Sequence, residues 1–305
     1  MDRIDAIAVF AEVAERGSFA EAARRFGRSP AAVTRAIAEL EARLGVRLLN
    51  RTTRAVSVTE AGQRFLAGAT RVLADLDEIE RAAAGEGTAP RGELRVTAPI
   101  LFGRLHVLPI VIEFLGRFPD VSVVLRLLDR PIDLVEEGLD VAVRIGALAE
   151  SSAIASRVGT LRRIVVASPD YLTRHGTPRT PAELGAHAVI AFAGMFGTER
   201  WVFHNDADEA SVAIEPRLVV TTAEAALDAA RASFGLTRVL SYQAADDIGR
   251  GSLRRVLTAY EGDELPVHLL YPAGRHPPPK LRAFLDFATP RLRRRSEAIG
   301  RAINS

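Results

Sequence analysis

No cysteine occurs in the 305 residues, which removes disulfides, thiolate zinc sites and thiol redox sensing. Lysine is nearly absent as well. Lys280 is the only one, so almost every cation is a guanidinium, a group suited to bidentate phosphate and guanine contacts. No apolar run approaches the length of a membrane span. The N-terminal MDRIDAIAVFAEVAE is broken by acids as a signal peptide is not, so the expected location is cytoplasmic, with no membrane partner. The six histidines (106, 175, 187, 204, 268, 276) lie far apart without HxxxH spacing, so no metal site is assigned. A phosphate loop, a GxGxxG after the first strand of the C-terminal part and a GxSxG elbow are all missing. The chain therefore reads as a non-enzyme with no catalytic residues and no cofactor.

What is present is unevenly spread. The formal net charge is only +2, yet Arg16 to Arg54 holds nine arginines against three glutamates, a local excess of +6. Such an excess attracts a polyanion. The same stretch, SFAEAARRFGRSPAAVTRAIAELEARLGVRLLNRTTR from Ser18, sets two short helical patterns across Gly27-Arg28-Ser29 and follows them with an arginine-rich hairpin. Ile4, Ile7, Phe10, Val13 and Ala14 predict a first amphipathic helix. Ser18 and Glu21 form a capping box for the second, whose buried face is Phe19, Ala22, Ala23 and Phe26. Ser29 caps the third, with Pro30 at its first position, and Ala32, Val33, Ala36, Ile37, Leu40 and Leu44 turn inward. Val46 to Val58 reads as a two-stranded wing. This is the pattern of a winged helix-turn-helix, which lays a helix into a DNA groove.

A chain of this length predicts two or three domains. Thr59-Glu60-Ala61-Gly62 opens a long helix carrying Phe65, Leu66, Ala69, Val72, Leu73, Leu76 and Ile79 along one side. That stripe is longer than a small head can cover, so it is expected to pack against its copy in a second subunit. Gly85 to Pro90 is a flexible joint. From Gly92 strands and helices alternate: Glu93–Ala98, a helix Phe102–Phe118, then strands Val121–Leu127, Asp140–Ile145, Arg162–Ala167 and Pro266–Tyr271, and a closing helix from Lys280. This is an open α/β pattern with ligand sites expected at strand C-termini.

The N-terminal motif AAxxxxRSPAAVTRAIxxLExxLGVRLLxRTTRxVxxTEAG closely resembles the LysR-type transcriptional regulators. The likeness continues through RVTAPILFGRLHVLPIVIEFLGRFPDV, DVAVRIG and PVHLLYPAGRH. The resemblance implies a winged helix-turn-helix over 1–58, a dimerising linker helix and hinge over 59–90, and a two-lobed, periplasmic-binding-protein-like α/β effector domain over 91–305. Lobe 1 is expected at about 91–161 and 266–305, and lobe 2 at about 162–265. It also implies dimers or tetramers, an inverted-repeat double-stranded DNA site, a small-molecule effector and RNA polymerase as a candidate partner. One departure stands out. The third helix commonly opens Ser-Gln-Pro in this family, whereas here it is Ser29-Pro30-Ala31, so the base contacts are expected to differ.

The start of a recognition helix faces base edges while flanking groups hold phosphates. The expected DNA-binding residues are Arg28, Ser29, Pro30, Ala31, Thr34 and Arg35, with Arg51, Thr52 and Arg54 on the wing. Arg35 can fork onto guanine, Thr34 and Ala31 can meet a thymine methyl, and Ser29 divides between capping and phosphate contact. Arg28 and the wing arginines suit phosphates or the minor groove.

For the effector, Thr97-Ala98-Pro99 ends a strand at a helix mouth where backbone N–H groups can hold an anion. Thr221-x-x-Glu224 reads as a second capping box after strand Arg217–Val220, with Thr222 beside it, and in the resembling family these two helix starts face each other across the cleft. Arg130, Arg144, Met195, Trp201 and Phe203 complete the candidates, although Trp201 and Phe203 alternate as core residues of a strand also would. Arginines and threonines at strand ends lean toward an organic anion as effector. The rival readings are a free-standing solute-binding protein, which fits neither the absent export signal nor the DNA-binding head, and a ligand-independent architectural DNA binder.

Overall fold

Local signals set the N-terminal helices. Asp2 accepts from the Asp5 N–H at 2.7 Å and opens α1 (Arg3–Arg16), which Gly17 closes at φ 65°. Ser18 Oγ accepts from Glu21 N and opens α2 (Phe19–Arg25); Ser29 Oγ accepts from Ala32 N and opens α3 (Pro30–Leu44), with Pro30 in its first turn. Both serines thus stand where their spacing places them. The wing is β1 (Leu49–Arg51) paired antiparallel with β2 (Val56–Val58), and α4 (Glu60–Ala83) follows. The computed structural model describes residues 1–51, 56–83, 89–148, 153–192, 200–204, 209–262, 264–273 and 277–304, with only the backbone of Arg51 and of parts of α4. Thr52, Arg54 and Met195 lie outside the described residues. The chain divides into two units, residues 1–89 with 135–138 and residues 90–134 with 139–305.

The head buries Phe10, Val13, Val33, Ile37, Leu40, Leu48 and Leu49 in one cluster. The start of α4 completes it. Ala69 is buried there, and Phe65, Leu66 and Leu73 pack against the cluster, with the Phe65 ring edge-on to Phe10 at 5.5 Å. Half of the stripe assigned to a second subunit is therefore used within the head, whereas Val72 is 53% exposed. The joint between wing and α4 is tight. Thr59 Oγ1 donates to Arg47 O and accepts from Gly62 N, capping α4 against the wing base. A Cβ on Gly62 would stand 2.1 Å from Leu48 O and 2.7 Å from Val58 Cγ1. Gly62→Ala should therefore cost about 1–3 kcal/mol, read as a lowered urea midpoint. A loss under about 0.5 kcal/mol, the range of an ordinary surface change, would mean the backbone yields there.

The second unit holds two five-stranded sheets. The first has the order β4-β3-β5-β14-β6: β3 (Gly92–Ala98) lies parallel to β4 (Val121–Leu127) and β5 (Val141–Ile145), while β14 (Leu265–Pro272) runs antiparallel to β5 and to β6 (Ala153–Leu161). Between β3 and β4 runs a helical stretch: α5 (Ile100–Phe102), a π-helical turn Gly103–Val107 and α6 (Leu108–Arg117). The single helix expected over 102–118 thus carries a widened turn. The second sheet has the order β11-β8-β12-β7-β13 and uses β7 (Arg163–Ala167), β8 (Val189–Phe192), β11 (Leu218–Val220), β12 (Leu236–Leu240) and β13 (Arg254–Val256). A ribbon of β9 (Arg200–His204) and β10 (Glu209–Ala213) lies apart from it. The helices of this sheet are α7 (Pro169–His175), α8 (Ala223–Arg231) and α9 (Ser241–Gly249), and α10 (Pro279–Asn304) ends the described chain.

One hydrophobic cluster runs through both lobes. It joins Leu94, Val96, Val141 and Phe114 of the first to Ile164, Val166, Ile190 and Val239 of the second, with Phe284 and Leu292 of α10. The other face of the second sheet has its own cluster, which includes Val165, Tyr171, Leu236 and Val256. Wide opening of the lobes would expose the shared cluster to water, at roughly 25 cal/mol per Å² of apolar surface.

Candidate nucleic-acid interface and effector cleft

Helix α3 has two faces. Val33, Ala36, Ile37 and Leu40 are buried, while Ser29, Pro30, Ala31, Thr34 and Arg35 are exposed along the other side. Ser29 Oγ accepts from Ala32 N at 3.2 Å, so capping occupies one of its lone pairs. Thr34 Oγ1 donates to Pro30 O at 2.9 Å, which uses its proton and leaves an acceptor and a methyl on the exposed side. Arg35 and Arg28 make no side-chain hydrogen bond or ion pair among the described residues. Gly27 turns the chain between α2 and α3 at φ 59°.

Not every arginine of the cluster is available. Glu12, buried on α1, accepts from Arg16 and lies 3.2 Å from Arg25 Nε. Two of the nine positive charges are thereby tied to a carboxylate that precedes the counted stretch. Glu41 is a second residue with a part that spacing did not reveal. Its carboxylate accepts from the N–H groups of Leu48 (2.8 Å) and Leu49 (3.0 Å), fixing the wing base to the end of α3. Composition counts Glu12 and Glu41 only as negative charges. Only the short Glu41 to Leu48 separation could have suggested a tie. Arg51 sits on β1 at the wing, in register with Val56.

In the second unit, Thr97, Ala98 and Pro99 are all buried at the end of β3. Thr97 pairs across to Arg126 and Ala142 on the face opposite the shared cluster, and its buried Oγ1 has no hydrogen-bond partner among the described residues. Ile100 N, the first N–H of the helix beyond, is held at 2.9 Å by the Asp129 carboxylate. That corrects one expectation: this helix mouth already carries an anion of its own chain. Arg144 is half-buried on β5 opposite His268 of β14, and Arg130 is exposed beside Pro131.

Across from it, the N-cap of α8 is Thr222, not Thr221. Thr222 Oγ1 accepts from Ala225 N at 3.2 Å, and Thr221 stands exposed in the turn before it. The strand before it is also one residue shorter than expected, beginning at Leu218. Arg104 of the π-helical turn reaches Glu224 of α8 at 3.5 Å, so the two helix starts flank one gap. Behind them three rings close the lobes together. Phe102 lies 5.1 Å from Tyr242 and 4.9 Å from His106, which in turn lies 5.6 Å from Tyr242. Burial raises the Tyr242 phenol above its ordinary value, with the Asp129 and Glu224 charges adding to the rise. Burial, aided by the positive charge of Arg295, lowers His106 from 6.5 to about 4. The imidazole is neutral at pH 7. The unfolded chain takes up this proton near 6.5 and the folded chain does so only near 4, so stability falls as the pH drops through that window.

Trp201 and Phe203 are core residues. They are 4% and 2% exposed on β9, in the cluster on the far face of the second sheet from α8. Arg238 lies over both rings, at 5.8 and 4.8 Å from their centroids, and donates to Val202 O at 2.6 Å. Burial, then the Arg163 charge, lowers it to about 10. Their alternation thus reflects strand packing, and they take no place in the gap.

A helix-turn-helix with an exposed, cationic third helix, joined to a two-sheet α/β unit of this topology, is the build of a transcriptional regulator with its own sensor domain. The chain matches the lysR family of bacterial regulatory helix-turn-helix proteins over residues 4–63 and the LysR substrate binding domain over 87–293, and it belongs to the LysR family. It is 34% identical over 288 residues to an HTH-type transcriptional regulator of Xanthomonas campestris pv. campestris, covering 93% of this chain and 84% of that one. It is 29% identical over 289 residues to the Escherichia coli transcriptional activator AaeR, covering 95% and 94%. Among solved structures it is similar to CrgA of Neisseria meningitidis, a LysR-type regulator (TM-score 0.61, 30% identity, 94% and 98% covered). It is also similar to the full-length Vibrio cholerae virulence activator AphB (TM-score 0.58, 27% identity, 94% and 98% covered). The protein is a LysR-type, DNA-binding transcriptional regulator with an effector-binding domain. No helix among the described residues is long and apolar enough to cross a membrane.

Proposed function

We propose that residues 1–58 form the DNA-reading head, 59–90 the linker, and 91–305 a sensor whose effector sits between the starts of α5 and α8. The exposed α3 face carrying Ala31, Thr34 and an unpaired Arg35 supports base reading by those three residues. Arg28, Ser29 and the wing residues Arg51, Thr52 and Arg54 hold phosphates. Val72, exposed on α4, supports pairing of that helix with a second copy, so that a dimer or a tetramer spans an inverted repeat. The protein acts in the cytoplasm on double-stranded DNA and catalyses no reaction; RNA polymerase is its partner when it activates.

The buried, unpartnered Thr97 hydroxyl is the observation that carries the effector site. With Asp129 already on the helix mouth, an organic anion would be met by that hydroxyl and by the side chains of Arg144 and Arg130, with Thr222 on the opposite rim. Footprinting beside the protein's own gene across a salt series tests the DNA reading: a discrete protected repeat, weakening steeply with salt, supports it, and sequence-blind protection favours an architectural binder. A thermal-shift screen of small organic acids tests the sensor. Thr97→Val removes a hydroxyl without a partner, so the free protein should melt at an unchanged or higher temperature. The variant should lose the ligand-induced shift and keep its DNA affinity; a retained shift would move the effector elsewhere.

A further inference from the structure

A cavity of about 360 Å³ lies at the hinge of the two lobes, where the two crossovers between the sheets, β6 to β7 and β13 to β14, meet α10. That is within the size range of small-molecule sites, and it shares no residue with the gap between Thr97 and Thr222. Its walls come from the end of β6, from Arg162 and Glu264 on the two crossovers, from Ser241 at the start of α9, and from α10. The floor is apolar: Val158, Leu161, Ile299 and Ile303 are each buried. The rim sets three arginines (Arg157, Arg162 and Arg293) against two glutamates (Glu264 and Glu297) and is cationic on balance. Arg157 and Arg162 share Glu264, at 3.6 and 3.3 Å, whereas Arg293 makes no ion pair or hydrogen bond among the described residues.

Gly300 is the telling residue. It lies inside a 26-residue helix, where glycine costs about 1 kcal/mol relative to alanine. A Cβ built on it meets nothing within 4 Å, so no packing within the described chain requires a glycine there. The space it leaves opens on the cavity. We propose that this cavity is a second binding site, for a small organic anion whose carboxylate meets Arg293 and Arg162 and whose apolar body rests on Leu161, Ile299 and Ile303. Both crossovers line it, so an occupant acts directly on the angle between the lobes.

The test is calorimetry on the full chain with phenylacetate as probe, and with its uncharged alcohol, 2-phenylethanol, as control. Phenylacetate should saturate with a dissociation constant below about 1 mM, and the alcohol should bind at least about tenfold more weakly. Gly300→Leu fills the space and Arg293→Gln removes the charge. Each should weaken phenylacetate about tenfold or more, whereas Thr97→Val should leave it unchanged. Absence of saturation, indifference to both variants, or loss in Thr97→Val would overturn the proposal. So would a Gly300→Leu protein whose sedimentation changes while phenylacetate gives no heat in the wild type, because the cavity would then be a face between copies.

Discussion

Replacing Arg35 by alanine is expected to lower operator affinity by about 5- to 150-fold while leaving salt-sensitive binding to random DNA. A guanidinium forked onto guanine O6 and N7 is worth about 1–3 kcal/mol of discrimination. Arg35 is free to make that contact, since it is exposed and bonded to no other side chain among the described residues. The fold should not respond, because an exposed helical position accepts alanine with no loss of propensity. The measurement is the ratio of affinities for the footprinted repeat and for a scrambled duplex. An unchanged ratio would remove Arg35 from base reading. Arg28→Ala should behave differently, weakening both duplexes alike, because a phosphate contact carries no sequence information.

Phe102→Ala should lower the free energy of unfolding by about 3–5 kcal/mol, the usual cost of emptying a buried phenylalanine site. The ring is 4% exposed and joins the first lobe to Tyr242 of the second. It belongs to the cluster that runs through both lobes, so the cavity left behind has rigid walls on two sides and collapses poorly. Urea unfolding followed by circular dichroism gives the number, and Phe102→Leu should restore more than half of it. The ligand-induced thermal shift should weaken as well, because Phe102 belongs to the helix mouth that lines the proposed effector gap. A cost below about 1 kcal/mol, well short of that range, would mean the lobes are held together elsewhere.

Features that rest on near neighbours in the chain are legible in the residue order. Ser18 and Ser29 cap from three residues away, Gly17 and Gly45 end helices by their own φ, and period-two alternation announced β4 and β5. The two faces of α3 followed from 3.6-residue spacing, except that Leu44, expected inward, is 37% exposed, and the motifs of head and sensor carried the family. Tertiary structure decided what depends on partners distant in sequence. Asp129 is 29 positions from the N–H of Ile100 that it holds, and no local pattern couples them. Spacing to Glu224 points to Thr221 as the cap of α8, whereas the structure gives that place to Thr222, the second residue past β11. Trp201 and Phe203 alternate as either a core or a lined pocket would, and the side of the sheet on which the ribbon packs made them core. Net charge was legible, but only packing shows that Glu12 ties Arg16 and Arg25 to a carboxylate of α1. Periodicity fixes the face of an element, and only packing fixes what that face meets.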